Sequence, residues 1–175
     1  ASNSIGRAVD YVKDLDRSLN DIRIISGYNA EDMNKFADSA NKAAQALGKT
    51  TTEYTNASLI YIQQGKTLKE SNSLAELTLK TANVTGQATA EVSEQLTSLM
   101  NGYQISVDNM EASVDKLAKV AAVSASDLEE LATAESKVAS TANALGVSQD
   151  QLVSQLSTII SVTRQAPESV GNAIN

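Results

Sequence analysis

The chain has 175 residues, a formal net charge of -7, 42% hydrophobic residues and few aromatics, namely Phe36 and five tyrosines. That length suits one ordinary domain or a loose set of helices, and the shortage of aromatics favours thin helix seams over a thick core. An acidic chain is poorly suited to neutralising nucleic-acid phosphates; the absence of cysteine and histidine removes thiolate sites, disulfides, the commonest general base and the commonest metal ligand.

No apolar run approaches the ~20 residues of a membrane span; Val120-Ala121-Ala122-Val123 is among the longest. No signal peptide is recognisable, and Ala1 reads as the start of a fragment or of an ordered region within a longer chain.

The first element has the clearest period. Ile5, Val9, Val12, Leu15, Leu19, Ile22 and Ile25 follow one another at intervals of 4, 3, 3, 4, 3 and 3 residues. This places one apolar stripe on a helix over residues 4–26, close to a coiled-coil seam, with Gly27 as a left-handed stop.

The rest of the chain repeats a polar cap, an acidic first turn, an apolar stripe and a glycine. Asn29 caps a helix bearing Met33, Phe36, Ala40, Ala44 and Leu47, closed by Gly48. Thr50 opens the next, which ends near Gly65. Thr67 precedes a helix with Leu74, Leu77 and Val84 that ends at Gly86. Thr89 precedes one with Val92, Leu96, Leu99 and Tyr103, interrupted near Gly102.

Ser106 opens a helix with Val107, Met110, Val114, Leu117 and Val120. Ser126 precedes another, with Asp127, Glu129 and Glu130 crowding its first turn and Leu128, Leu131, Val138, Ala142 and Leu145 along its apolar line. Ser148 caps the last long helix, with Leu152, Leu156, Ile159 and Ile160. Pro167, the only proline, separates it from a short helix begun at Glu168. No stretch alternates apolar and polar residues, so the expected fold is all-α: about eight helices joined by short turns, in a loose bundle of helix hairpins behind a coiled-coil-like N-terminal helix.

Ala46-Leu47-Gly48-Lys49-Thr50 is echoed by Ala144-Leu145-Gly146-Val147-Ser148. Shared helix–turn–helix punctuation accounts for this more simply than a duplicated unit.

The search for chemistry assigns no catalytic, cofactor-binding or metal-binding residue. The carboxylate pairs Glu31/Asp32, Glu129/Glu130 and Asp127/Glu130 sit where a helix dipole favours ionised carboxylates, whereas acid–base pairs need unlike environments. Gly65-Lys66-Thr67 resembles the end of a phosphate loop, but position 60 is Ile60 instead of the required glycine, and no strand precedes it. Tyr54 and Tyr61, seven apart, read first as amphipathic packing and second as a stacking pair. Lys35, Lys42 and Lys49, with Arg23 nearby, read as a basic edge on a helix surface, with contact to DNA or an acidic partner as the sharper alternative.

The second half carries a family pattern. Leu117, Val120 and Ala121 run into a serine turn at Ser124 and Ser126, then a Glu-Leu helix from Leu128. A turn at Ala142, Leu145, Gly146 and Ser148 follows, then Leu152 and Leu156, then Glu168 and Gly171. In order and distance this resembles the core region of phage tail tape measure proteins. Ile24-Ile25-Ser26-Gly27, Ala46-Leu47-Gly48 and the Thr-Thr-x-Glu start at Thr50 fit as well, so the likeness covers roughly residues 15–175.

The resemblance implies residues 1–27 as an amphipathic helix continuing from an upstream rod, and residues 28–175 as a helical core domain that is incomplete at its C-terminal end. It implies a structural, non-enzymatic protein of the virion, held inside the tail tube near the tip after assembly in the host cytoplasm. Such a protein sets tail length, nucleates the tube and leaves ahead of DNA during ejection. The implied partners are tail tube proteins, tail-tip (distal tail or baseplate) proteins and tail assembly chaperones, with self-association through coiled-coil helices and contact with the host membrane during ejection. No small-molecule substrate, cofactor or specific nucleic-acid binding is implied.

Two other readings stay open on the residues alone. One is a bacterial helical-bundle interaction module, an adaptor or secreted effector. The other is a membrane-active set of helices packing through small residues. An enzyme stands last.

Overall fold

The computed structural model describes residues 2–174, with side chains described for Gly6, Arg7 and Val9–Ala173. The expected features at Ala1 and Asn175, and the side chain of Ile5 in the apolar stripe, lie outside this range. The fold is all-α. Nine helices occur among the described residues: α1 Ser2–Ser26, α2 Ala30–Ala46, α3 Thr51–Gln63, α4 Leu68–Thr85, α5 Thr89–Gly102, α6 Val107–Val123, α7 Leu128–Ala144, α8 Gln149–Thr163 and α9 Pro167–Ile174. The ninth is the short helix after the last long one, and Pro167 itself occupies its first position, where a missing N–H costs nothing.

Caps fix most of the boundaries. The Asn29 side chain accepts from the Asp32 N–H at 2.9 Å. Thr50 with Glu53, Asp127 with Glu130 and Ser148 with Gln151 form reciprocal capping boxes that satisfy backbone donors at the helix starts. The cap before α7 is therefore Asp127, not Ser126. Ser126 is buried instead, its hydroxyl lying 3.3 Å from both the Ser157 carbonyl and the Ser161 hydroxyl. Thr89 is likewise the first residue of α5; Ala88 holds the cap position with no side-chain bond.

The echoed pentapeptides have the same local structure. Lys49 N–H donates to Ala44 O at 2.8 Å and Val147 N–H to Ala142 O at 2.9 Å, around Gly48 and Gly146 at positive φ. Lys66 N–H to Tyr61 O at 3.1 Å repeats the pattern around Gly65. A third copy outside the echo favours common helix-end chemistry over duplication.

The helices form two compact units, one up to Val84 and one from Thr85. In the first unit α1 and α2 both pack on α3. Ile22, Met33, Phe36, Ala40, Ala44, Tyr54, Ala57, Ile62, Ala75 and Leu79 make its core. Small side chains let α3 approach α1 and α2 closely, whereas the two tyrosines bridge to α4. The Tyr54 hydroxyl donates toward Asn72 O and Glu76 Oε1 at 3.4 and 3.3 Å, and the Tyr61 and Thr78 hydroxyls meet at 2.7 Å. Tyr54 and Tyr61 are thus fully buried spacers and not a stacking platform.

In the second unit α7 is central and packs against α5, α6, α8 and α9. Ala132, Ala134, Ala139 and Ala142 are buried on it beside Leu131 and Val138. A side-chain carbon at Gly102 would lie 2.6 Å from Ala139 Cβ, and one at Gly171 2.7 Å from Ala134 O. Gly102 is therefore a contact point of α5 on α7 and not the left-handed stop. That conformation falls on Gln104, at φ 54°, where Ile105 N–H closes back on Met100 O at 2.9 Å.

The two positions predict opposite effects. Gly102→Ala should lose roughly 1–3 kcal/mol by overpacking, and Gln104→Gly should gain roughly 1 kcal/mol by relieving a left-handed side-chain residue. Urea unfolding followed by helical circular dichroism measures both.

Candidate interaction surface

The helix α1 behaves differently along its length. Toward its C-terminal end Ser18 and Ile22 are buried and Leu15 and Leu19 half-buried, so the predicted stripe does meet the core there. Toward its N-terminal end every described side chain from Gly6 to Asp14 is exposed, including Val9, Tyr11 and Val12. At 25 residues α1 is about 37 Å long. The 17- and 13-residue helices α2 and α3 are too short to cover it all. At the C-terminal end of α1 Ile24 is exposed, as is Ile25, the one stripe position there that the core does not cover, and Tyr28 follows in the turn. Among the described residues the other exposed large apolar side chains are Val84 in the first unit and Val123, Leu145 and Val162 in the second.

The leads for chemistry resolve into structural roles. Glu31 pairs with Lys35 at 2.7 Å, and Asp32 bonds both atoms of the Asn29 amide group. Asp127 and Glu130 are the two halves of a capping box. Glu129 is held above the usual carboxylate range, first by partial burial and then by Asp127, Glu91, Glu130 and Glu168. Gly65 closes α3 in the left-handed region, and Thr67 caps α4 through Glu70, whose carboxylate is lowered by those same hydrogen bonds.

The basic edge is shorter than its spacing promised. Lys35 and Lys42 lie on α2, but that helix ends at Ala46, and Lys49 sits in the turn, 3.7 Å from Glu53 of α3. Arg23 lies on α1 and bonds Asn20 at 2.9 Å.

Each unit also carries a shallow groove among the described residues. One of about 270 Å³ runs between α1 and α2, with Leu19 and Met33 on its floor and Asp16 and Arg23 at its rim. One of about 200 Å³, between α5, α7 and α9, is lined by Glu91, Glu94, Gln95, Thr133, Lys137 and Glu168. Among the described residues no group of acidic side chains converges as a metal ion would require, and no helix is long and apolar enough to cross a membrane.

The uncovered end of α1 separates two classes of substitution. Val12→Ser should change stability by no more than about 0.5 kcal/mol, whereas Ile22→Ala on the same helix should cost about 2–5 kcal/mol. Denaturant midpoints of the two variants decide it; equal losses would mean that the N-terminal half of α1 is packed in solution.

A family model described as phage-related minor tail protein matches residues 39–175. No curated protein and no solved structure gives a significant match to the chain.

Proposed function

The chain belongs to the phage-related minor tail protein family, and on that premise we propose that it is a segment of a tail tape measure protein. A structural role in a phage tail, in association with other tail proteins, follows from the family. The finer reading is a protein that sits in the tail tube near the tip, sets tail length, nucleates tube assembly with tail-tip proteins and assembly chaperones, and leaves ahead of DNA.

The observation that supports the finer reading is the ordered series of helix starts and glycine stops, which resembles the tape measure core in order and distance. The second support is the shape of the first helix. Its core-facing end is folded into the first unit, and its other end presents Val9, Tyr11 and Val12. That is what a helix leading in from an upstream rod requires, and in this reading the boundary between rod and core domain falls near residue 27. The same apolar edge is where self-association through coiled-coil pairing takes place. Contact with the host membrane during ejection belongs to this reading too, as a surface encounter.

The test is tail length by electron microscopy, in phage whose parent gene carries in-frame deletions in its rod-forming regions. Tails should shorten by about 1.5 Å per deleted helical residue. Normal tails on infectious particles would overturn the length-setting role and leave a tail protein of another kind.

A further inference from the structure

The second unit hides a carboxyl group that its tail role does not use. Glu135 lies in the middle of α7, is 0% exposed, and neither carboxyl oxygen has a hydrogen-bond partner. Its surroundings can be named element by element. From α8, Gln149 is buried beside it: one N–H of its amide goes to the Ser113 hydroxyl of α6, at 2.6 Å, and the other is left to face the Glu135 carboxyl, which it favours as the ion without closing to a full hydrogen bond. Lys116 of α6 is the cation that acts on it, and Asp150 of α8 is the anion. Those two are engaged with each other at 2.9 Å at the exposed rim. After α5, the Tyr103 hydroxyl is buried without a partner, and its phenol is pushed up to about 12 by burial and by Glu135. Among the described residues α9 supplies no charge that acts on this carboxyl.

An ionised carboxylate in that position is a fully buried charge with no cation bonded to it and only the Gln149 amide facing it, which proteins avoid by neutralising it or by admitting water. Burial accordingly pushes Glu135 up to about 8, against a smaller lowering by Gln149 and Lys116. We infer that Glu135 is a proton-operated latch: protonated, it lets α6 and α8 close on α7, and ionised, it drives that three-helix seam open to water.

The sign follows from linkage. The folded chain holds this proton more tightly than the unfolded chain, so the latch's stabilisation is complete below the ordinary carboxylate range and is lost as pH rises toward about 8. With no histidine and no cysteine in the chain, Glu129, also raised above the usual carboxylate range, is the other side chain to reckon with in that window, and Glu135→Gln separates the two.

The experiment uses the whole chain. Carbon-detected NMR of the glutamate carboxyls gives the midpoint of Glu135 directly, assigned by its loss in Glu135→Gln. Urea midpoints are taken from about pH 5 to about pH 9 for both proteins, and amide exchange is compared between helices at the two ends of the range. The expected result is a Glu135 midpoint well above those of the other carboxyls and a wild-type urea midpoint that falls with pH more steeply than that of Glu135→Gln. In the wild type, α6 and α8 amides should lose roughly tenfold more protection than α5 amides after correction for intrinsic rates.

A Glu135 midpoint in the ordinary range, parallel pH profiles for the two proteins, or uniform loss of protection would each overturn the latch. If Glu135→Gln fails to fold, Glu135→Asp supplies the assignment, and the wild-type midpoint and exchange pattern still decide.

Discussion

Close approach of helices through small side chains is the constraint on which both units rest. With so few aromatics, neither unit can fill a wide interior, so the helix axes must come near enough for alanine and serine to touch. Around α7 this is carried furthest: Ala132, Ala134, Ala139 and Ala142 line its faces, and two neighbouring helices reach it through glycines at positions 102 and 171. Around α3 the same device is mixed with its opposite. Ala57 is buried in the first unit's core, and Tyr54, Ser58 and Tyr61 turn their hydroxyls to α4, the two tyrosines filling the space between.

Seams of this kind tolerate hydroxyls because a helix can absorb them. Ser93 donates back to Thr89 O at 2.9 Å, Thr97 to Ser93 O at 2.8 Å and Thr55 to Thr52 O at 3.1 Å, so these side chains find acceptors within their own helix. Glu135 has no such recourse, since a carboxyl carries two acceptors and an α-helix interior offers no free N–H. A polar group that is cheap when it is serine becomes a source of pH sensitivity when it is glutamate. The Gln95 amide shows the intermediate case, bonding Thr133 at 3.0 Å through its nitrogen while its oxygen is left buried without a partner.

Helix number, order and most starts were legible because caps and stops are local chemistry. Asn29, Thr50 and Ser148 act through atoms three residues away, so a short stretch of sequence contains the whole interaction. What was not legible depends on a second helix. Ser126 and Asp127 are equally good caps by type, and only α8, which takes the Ser126 hydroxyl, separates them. Gly102 reads as a stop until α7 is laid against it. The apolar line counted Val84 and Leu145 as core, yet both are exposed at helix ends where no partner reaches. Glu135 did leave a trace, lying four residues after Leu131 and three before Val138 and so within the buried stripe. A hydrophobic count simply skips such a position.

The stripe of α1 shows how far periodicity alone can go. Its spacing specifies a surface that wants a partner over its whole length, but it cannot say which partner takes which part. The structure assigns the C-terminal half to the first unit, around Ile22, and leaves the N-terminal half with Val9 and Val12 in solvent. In the proposed tape measure role this division has a direct consequence. Residues folded into helices of 13 to 18 residues that double back on one another add little span per residue, whereas a helix extended outward adds about 1.5 Å for each. In a tape measure the two compact units would therefore be fittings at a fixed place, with α1 the point where a part whose length counts is joined to a part whose shape counts.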